Sequence, residues 1–227
     1  MLDVFSGSHS RALSTAAFIT DRRRRSKRFY LGVKRVIDIL ATLAMAPVVL
    51  PLLAILAVLV KLDGGKAFYG QPRLGKDGKV FTLWKLRSMQ PDADRRLEEY
   101  LRENLEARIE WERTQKLRND PRITTLGRYI RKYSLDELPQ LLNVFLGHMS
   151  LVGPRPMLPQ QRKQYPGSEY FRMRPGLTGL WQISDRNNCS FAERAMHDNR
   201  YAAVMSLAID FRILAQTPLV VLRGTGM

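Results

Sequence analysis

Cysteine is almost absent from this chain of 227 residues. Cys189 is the only one, which excludes an internal disulfide framework and suits a domain facing the cytosol. An ordinary small side chain is its simplest reading. Histidine is scarce too: His9, His148 and His197 are scattered without ligand spacing, so no zinc constellation can be assembled from them. No Gly-x-Ser-x-Gly elbow and no internal repeat occurs. No apolar signal-peptide core follows a short basic start. Acidic residues are few, 21 Asp and Glu against 37 Lys and Arg, a net charge of +16. That excess calls for an anionic partner, whether nucleic acid, anionic lipid or a phosphorylated substrate. With 45% hydrophobic residues the chain can bury a sizeable core, and its length suits one catalytic domain with an appendage.

Charge is missing altogether from Ile39 to Val60. As a straight helix this run would extend about 33 Å, enough for the roughly 30 Å hydrocarbon core of a bilayer. Two features argue against a simple span. Pro47 and Pro51 fall within it, four residues apart, and should break or sharply kink the helix. Basic residues also stand on both sides, Lys34 and Arg35 before it and Lys61, Lys66, Arg73, Lys76 and Lys79 after it, so both ends prefer the cytoplasm. A helix that enters, bends at Pro47 and returns to the same face satisfies both facts, with a kinked bitopic helix as the alternative. Asp38 at the entry is expected to pair with Lys34 or Arg35. The preceding residues 1–28 read as a flexible basic tail. The cluster Arg22 to Arg25, Lys27 and Arg28 would hold that tail on an anionic leaflet, each charge contributing on the order of 1 kcal/mol.

The most informative stretch runs from Ser134 to Gly147, where Asp136 and Glu137 stand side by side before a run of leucines. Ser134 and Glu137 have the spacing of a capping box, and Gly147 would end the helix. Carboxylates in a first turn meet unpaired N–H groups and the positive end of the helix dipole, so both should stay ionised at neutral pH. Such anions can bind a hard cation or attack phosphorus. Pro139 complicates the register, because its missing N–H frees the carbonyl of Leu135 and makes the acid-bearing turn irregular. From the helix alone the plainer reading is favoured, in which Glu137 closes a cap and Asp136 answers the dipole.

Other segments supply cations. Ser150 to Val152 reads as a short apolar strand running into Gly153-Pro154-Arg155-Pro156, a stiff turn that holds Arg155 between two prolines and suits it to phosphate. Phe68 to Met89 alternates enough for two strands around Gly75-Lys76-Asp77-Gly78. Gly70 to Asp77 mimics a P-loop, but Asp stands where Ser or Thr must meet the metal and no helix follows, so it is rejected as a nucleotide-triphosphate site. Lys85 and Arg87, two apart on the second strand, point to one side, either lining an anionic site or forming a solvated edge. Asp92 to Arg118 is expected as one amphipathic scaffold helix, with Leu97, Leu101 and Leu105 on a face and Glu98–Arg102 and Glu112–Lys116 pairs. Arg128 and Arg131 share a helical face leading to Asp136, Arg131 being the better phosphate contact. Arg174 opens a Pro-Gly-Leu-Thr-Gly turn, and Trp181 just beyond it is expected to pack. Residues Met205 to Leu214 mix apolar side chains with Asp210 and Arg212, as in helices lying on a membrane interface, with a core helix as the alternative.

Together, the segments at Leu83 to Met89, Ser134 to Gly147, Ser150 to Pro156 and Arg174 to Gln182 resemble the bacterial sugar transferases, membrane-bound polyprenyl-phosphate hexose-1-phosphate transferases, in the family's order and from about Lys34 to the C-terminus. The resemblance implies a mostly α protein with a few short strands (α+β), monotopic, with a re-entrant helix-break-helix at 29–62 broken at Pro47 and Pro51, and a cytosolic catalytic domain at 63–227 bearing interfacial helices. It implies transfer of hexose 1-phosphate from a UDP-sugar (galactose or glucose) to undecaprenyl phosphate with release of UMP, on the cytoplasmic face of the bacterial inner membrane. Asp136 is then the nucleophile and a ligand of Mg²⁺, and Glu137 its partner in base or metal duty. Lys85, Arg87, Arg131, Arg155 and Arg174 are the expected phosphate contacts. Some family members carry several amino-terminal membrane helices, and this chain reads as the catalytic unit alone. Anionic membrane lipid is the further expected partner and nucleic acid is not. A homodimer is compatible with everything above. The rival from another class is a membrane-tethered basic nucleic-acid-binding protein, for which no recognition helix or RNA-binding aromatic signature is visible.

Overall fold

The computed structural model describes residues 6–114, 117–184 and 191–222, so Lys116 and Cys189 lie outside the described residues. Among the described residues the protein is mostly helical with two small sheets, and the longest element is the N-terminal helix α1, Ser6–Leu62. The backbone is already helical from Ser6, where the sequence suggested a flexible tail up to residue 28. It also continues through Pro47 and Pro51, where a break was expected. A proline removes one backbone bond and pushes the carbonyl four residues back aside, which bends a helix without ending it when both flanks are held. Both flanks are held here. Lys34 Nζ lies 2.6 Å from Asp210, and Arg87 Nη2 donates to Val60 O at 2.7 Å. Asp38, expected to pair with Lys34 or Arg35, accepts instead from the Leu151 backbone N–H at 3.0 Å, and Lys34 turns to Asp210. Between the flanks Leu40, Val48, Leu50, Ile55 and Val58 are exposed, and Ser26–Leu62 is long and apolar enough to cross a membrane by length and composition.

The hairpin expected after α1 is present. β1, Phe68–Leu74, pairs antiparallel with β2, Val80–Leu86, placing Tyr69 opposite Lys85 and Arg73 opposite Phe81. The rejected P-loop stretch is therefore strand up to Leu74 and passes into a 3₁₀ turn at Lys76–Gly78. The expected scaffold helix divides at Asn104, which is extended (φ −125°, ψ 100°), into α2, Ala93–Glu103, and α3, Leu105–Thr114. Leu105 falls on the wrong side of that break and is exposed. Then come α4, Thr125–Lys132, a 3₁₀ turn at Leu135–Glu137, and α5, Gln140–Leu146. Gly147 ends α5 with φ 84°, a conformation that favours glycine. β3, Ser150–Val152, pairs parallel with β4, Gly176–Thr178, so closely that a Cβ on Gly176 would overlap the Gly153 backbone. α6, Leu180–Ser184, α7, Phe191–Val204, and α8, Leu207–Leu222, complete the chain.

Two cores place the acids. Phe81 and Leu83 of β2 alternate inward against Leu141 and Val144 of α5, Leu151 and Val152 of β3 and Ile213 of α8. Leu56 and Val60 of α1 pack with Leu86 and Ile130, and Leu135, one residue before Asp136, leans on this second cluster. The turn bearing the carboxylates is thus fixed between helix α1, helix α4 and the end of strand β2.

Candidate active site

Asp136 and Glu137 sit in the 3₁₀ turn, ahead of helix α5 rather than in its first turn. Ser134 lies in the left-handed region (φ 55°, ψ 26°) and its side chain makes no cap, so the expected capping box is not formed. Pro139 is the reason: with no N–H to donate, it stands at the N-cap with φ −61° and delays the helix to Gln140. The turn is closed instead by Glu137 N to Ser134 O at 3.1 Å and Leu138 N to Leu135 O at 3.3 Å. This is the irregularity that the proline foreshadows.

The acids face β2. Lys85 Nζ donates to Asp136 Oδ2 at 2.9 Å and to Glu137 Oε1 at 3.3 Å. Asn143, fully buried on α5, fixes the distance between the two elements by donating to Thr82 O at 2.7 Å and accepting from Trp84 N at 3.1 Å. Burial pushes the Asp136 carboxyl above the ordinary range; Lys85 pulls it back, Glu137 pushes it up again and Arg131 lowers it. Burial works against the Lys85 ammonium, but Glu137 and then Asp136 outweigh it and raise the amine above its usual value. The state of Asp136 is therefore set by the contest of burial with Lys85, and not by a helix dipole.

Guanidinia surround this cluster. Arg73, on β1, is held by Pro156 O at 3.1 Å and Gln71 Oε1 at 2.6 Å, and burial followed by the charge of Arg155 brings it down to about 10. Glu137 acts on Arg73 in the opposite sense, which puts Arg73 within electrostatic reach of the acids. The Arg155 turn is tied to β1 by Leu74 N to Met157 O at 2.9 Å and by Tyr170, whose hydroxyl donates to Leu74 O and accepts from Met157 N. Arg155 itself is exposed and lies over the buried Trp181 ring, 5.0 Å from its centroid, with Arg194 over the same ring at 5.3 Å. Trp181 packs, as expected, and in doing so presents two cations. The arrangement is two carboxylates bridged by an ammonium within a surplus of positive charge, which suits a substrate with more than one phosphate.

The sequence matches the family described as bacterial sugar transferase over residues 29–224. The chain belongs to that family. It is similar to the UDP-galactose-lipid carrier transferase of Erwinia amylovora, 46% identical over 205 residues, covering 89% of this chain and 42% of that protein. It is 45% identical over 205 residues to the undecaprenyl-phosphate galactose phosphotransferase of Salmonella typhimurium, again with 89% and 42% covered. The chain therefore spans about two-fifths of the length of these relatives. Against the exopolysaccharide production protein ExoY of Rhizobium meliloti the identity is 43% over 213 residues, covering 92% of this chain and 94% of ExoY.

In this member of the family two expected phosphate contacts serve elsewhere. Arg87 donates to Val60 O in the last turn of α1, and Arg174 Nε donates to Gly147 O at 3.0 Å at the end of α5. Carbonyls at helix ends lack intrahelical donors, and a guanidinium close by in space satisfies them. Arg131 remains near Asp136, and its Nε is buried without a hydrogen-bond partner among the described residues. The residue that sequence reasoning missed is Arg73; its signal lay inside the P-loop lookalike, discarded as a whole. For a metal, no group of three or more His, Cys, Asp or Glu side chains comes together among the described residues. Adjacent Asp136 and Glu137 oxygens nevertheless fit a hard divalent cation of the Mg²⁺ kind, which takes one or two carboxylates and completes its shell with water and substrate phosphate.

Proposed function

We propose that the protein transfers hexose 1-phosphate from a UDP-hexose, galactose or glucose, to undecaprenyl phosphate, releasing UMP and starting assembly of an exopolysaccharide or other surface glycan. The observation that carries this reading is the half-buried Lys85 bridging Asp136 and Glu137, with Arg131 in electrostatic reach of Asp136, Arg73 of Glu137, and Arg155 of Arg73. In the first step an Asp136 oxygen bonds to the sugar-bearing phosphorus as the bond to the UMP oxygen breaks, and UMP departs with that electron pair. In the second an acceptor phosphate oxygen bonds to the same phosphorus and Asp136 leaves as carboxylate. Lys85 holds Asp136 toward its anionic form, and the guanidinia take up charge on the phosphoryl oxygens. Glu137, beside the same ammonium, stands ready as base or second oxygen donor. Mg²⁺ held by Asp136 and Glu137 would neutralise phosphate charge. Incubating membranes with radiolabelled UDP-hexoses and extracting lipid tests the proposal and names the sugar; no lipid-linked label from any UDP-hexose overturns it.

Arg155→Lys separates a bidentate phosphate grip from a simple charge. The ammonium cannot reproduce the planar fork or its stacking on Trp181, so transfer should fall by about 10-fold or more, measured as kcat/KM for the donor. Near-normal turnover would leave Arg155 a structural part of the turn.

We also propose that α1 enters and leaves the membrane on its cytoplasmic face. From Arg35 to Val60 a straight helix would extend about 38 Å. Yet Arg35 binds the carbonyls of Val144 and Phe145, and Val60 is bound by Arg87 just beyond β2, so both flanks dock on one catalytic unit. Cysteines placed at Ser26 and at Lys66 are both expected to react with an impermeant thiol reagent from the cytoplasmic side alone, and labelling of either from the periplasm sinks this topology.

A further inference from the structure

We infer that the groove between α1, β4, α6 and α8 holds the first isoprene units of the lipid acceptor, an inference that rests on the transferase reading above. The cavity there measures about 430 Å³ and is walled by Ala41 and Met45 of α1, Leu177 of β4, Ile183 of α6 and Leu214 and Val221 of α8. Glu137 lines it, beside Ser134 and Tyr133. So do Pro218, Val220 and Val221 of α8, whose neighbours Leu219 and Leu222 are exposed. The groove thus joins an exposed apolar stretch of α8 to Glu137.

Its walls offer almost nothing for a sugar or a nucleotide to bind. Most of its polar side chains are turned to partners of their own: Thr217 Oγ1 donates to Ile213 O at 2.8 Å and accepts from Thr178 Oγ1 at 2.8 Å, and Gln182 Nε2 donates to Leu177 O at 2.9 Å, which leaves Gln182 Oε1 as a buried acceptor without a partner among the described residues. With so few polar atoms open, the channel is predominantly apolar. Beside Glu137 the setting reverses, since Lys85 lies 3.3 Å from Glu137 and Arg73 is within electrostatic reach. An occupant must therefore be apolar along its length and anionic at its head, which describes a prenyl phosphate and not the donor.

A second apolar cavity of about 560 Å³ makes the choice specific. It lies against a different face of α1, that of Leu50 and Leu53, and is walled by Phe68, Trp84 and Phe145. It reaches Leu138 and Pro139 but neither carboxylate. A chain seated there would not bring its phosphate against either carboxylate.

The test uses the intact protein and a prenyl phosphate carrying a photoreactive diazirine in its second isoprene unit. Adducts are expected on residues 177–183 and 214–221, and are expected to be lost when undecaprenyl phosphate competes. Adducts on Trp84, Leu142 or Phe145 instead would overturn the inference, as would labelling at the groove that a phospholipid displaces and undecaprenyl phosphate does not. Leu214→Trp, which fills the groove, should raise KM for the long-chain acceptor about 10-fold and abolish its advantage over a one-isoprene phosphate. UMP exchange into UDP-hexose, which needs no acceptor, reports in the same samples that the donor site is formed, and Ile183→Phe provides a milder filling. Unchanged acceptor KM in both variants would refute the groove. The two failures are distinguishable: wild-type protein that makes no lipid-linked sugar rejects the transferase reading, whereas normal product with adducts elsewhere rejects the groove alone.

Discussion

Asp136→Asn is expected to abolish net transfer and UMP exchange together, each by roughly 10³-fold or more, while the fold persists. The amide keeps the size of the side chain and can still accept from Lys85, 2.9 Å from Oδ2, but it has no anionic oxygen to form a bond to phosphorus. Stability should not follow activity down. Burial raises Asp136, so the stabilisation its proton brings is complete below the ordinary carboxylate range and is lost as pH rises through the raised value. A neutral amide resembles the proton-bearing form that burial favours, so the substitution carries no desolvation penalty of its own. Labelled UMP exchange in the absence of acceptor, with a thermal melt on the same preparation, checks both halves. Glu137→Gln should differ if Glu137 serves mainly as base: a sugar-phosphate adduct on a peptide containing Asp136 should form and accumulate. A fully active Asp136→Asn protein would return Asp136 to a structural place in the turn.

Lys85→Met carries the second large effect, a loss on the order of 10²-fold at neutral pH together with an upward move of the acid limb of the pH–rate profile. The sign follows from the contacts. Lys85 is the main influence lowering Asp136, so without it burial and the Glu137 charge act unopposed and the carboxylate forms only at higher pH. Part of the lost rate should return as pH is raised. The folded protein should also be weakened by about 3 kcal/mol at neutral pH, because a buried charge partner is removed and two neighbouring carboxylates are left facing each other. The raised amine stabilises the fold fully below its ordinary value, which includes neutrality, and the stabilisation fades only as pH climbs past the raised value. In acid the penalty of the variant should shrink as the two carboxylates take up protons. An acid limb that stays where it is in wild type would refute the pairing as the control on Asp136.

Much of the site was legible as separate pieces. Asp136 and Glu137 stood out by adjacency and by the helix signals around them, and Arg155 by its two prolines. The hairpin, the strand at Ser150–Val152 and the stop at Gly147 also follow from local chemistry, because alternation, turn glycines and a left-handed C-cap are short-range rules. The capping box failed for a local reason as well: the spacing rule counts Ser134 and Glu137 but gives no weight to Pro139, whose missing N–H moves the helix start. Arg73 was discarded with the P-loop lookalike because that pattern is judged as a unit, whereas a strand presents its side chains one at a time.

The sequence by itself determined the apolar run with basic flanks, the paired acids and the family to which the chain belongs. Only the tertiary structure decided which cations serve those acids. Lys85 and Arg87 are two residues apart, yet one meets Asp136 and the other the end of α1, and Arg174 turns to the end of α5. The physical reason is that each guanidinium or ammonium goes to the unsatisfied acceptor nearest in space. For Lys85 that acceptor is 51 positions along the chain, brought near by the hydrogen bonds of Asn143 between α5 and β2. No periodicity or spacing rule reaches across such a separation, whereas packing does.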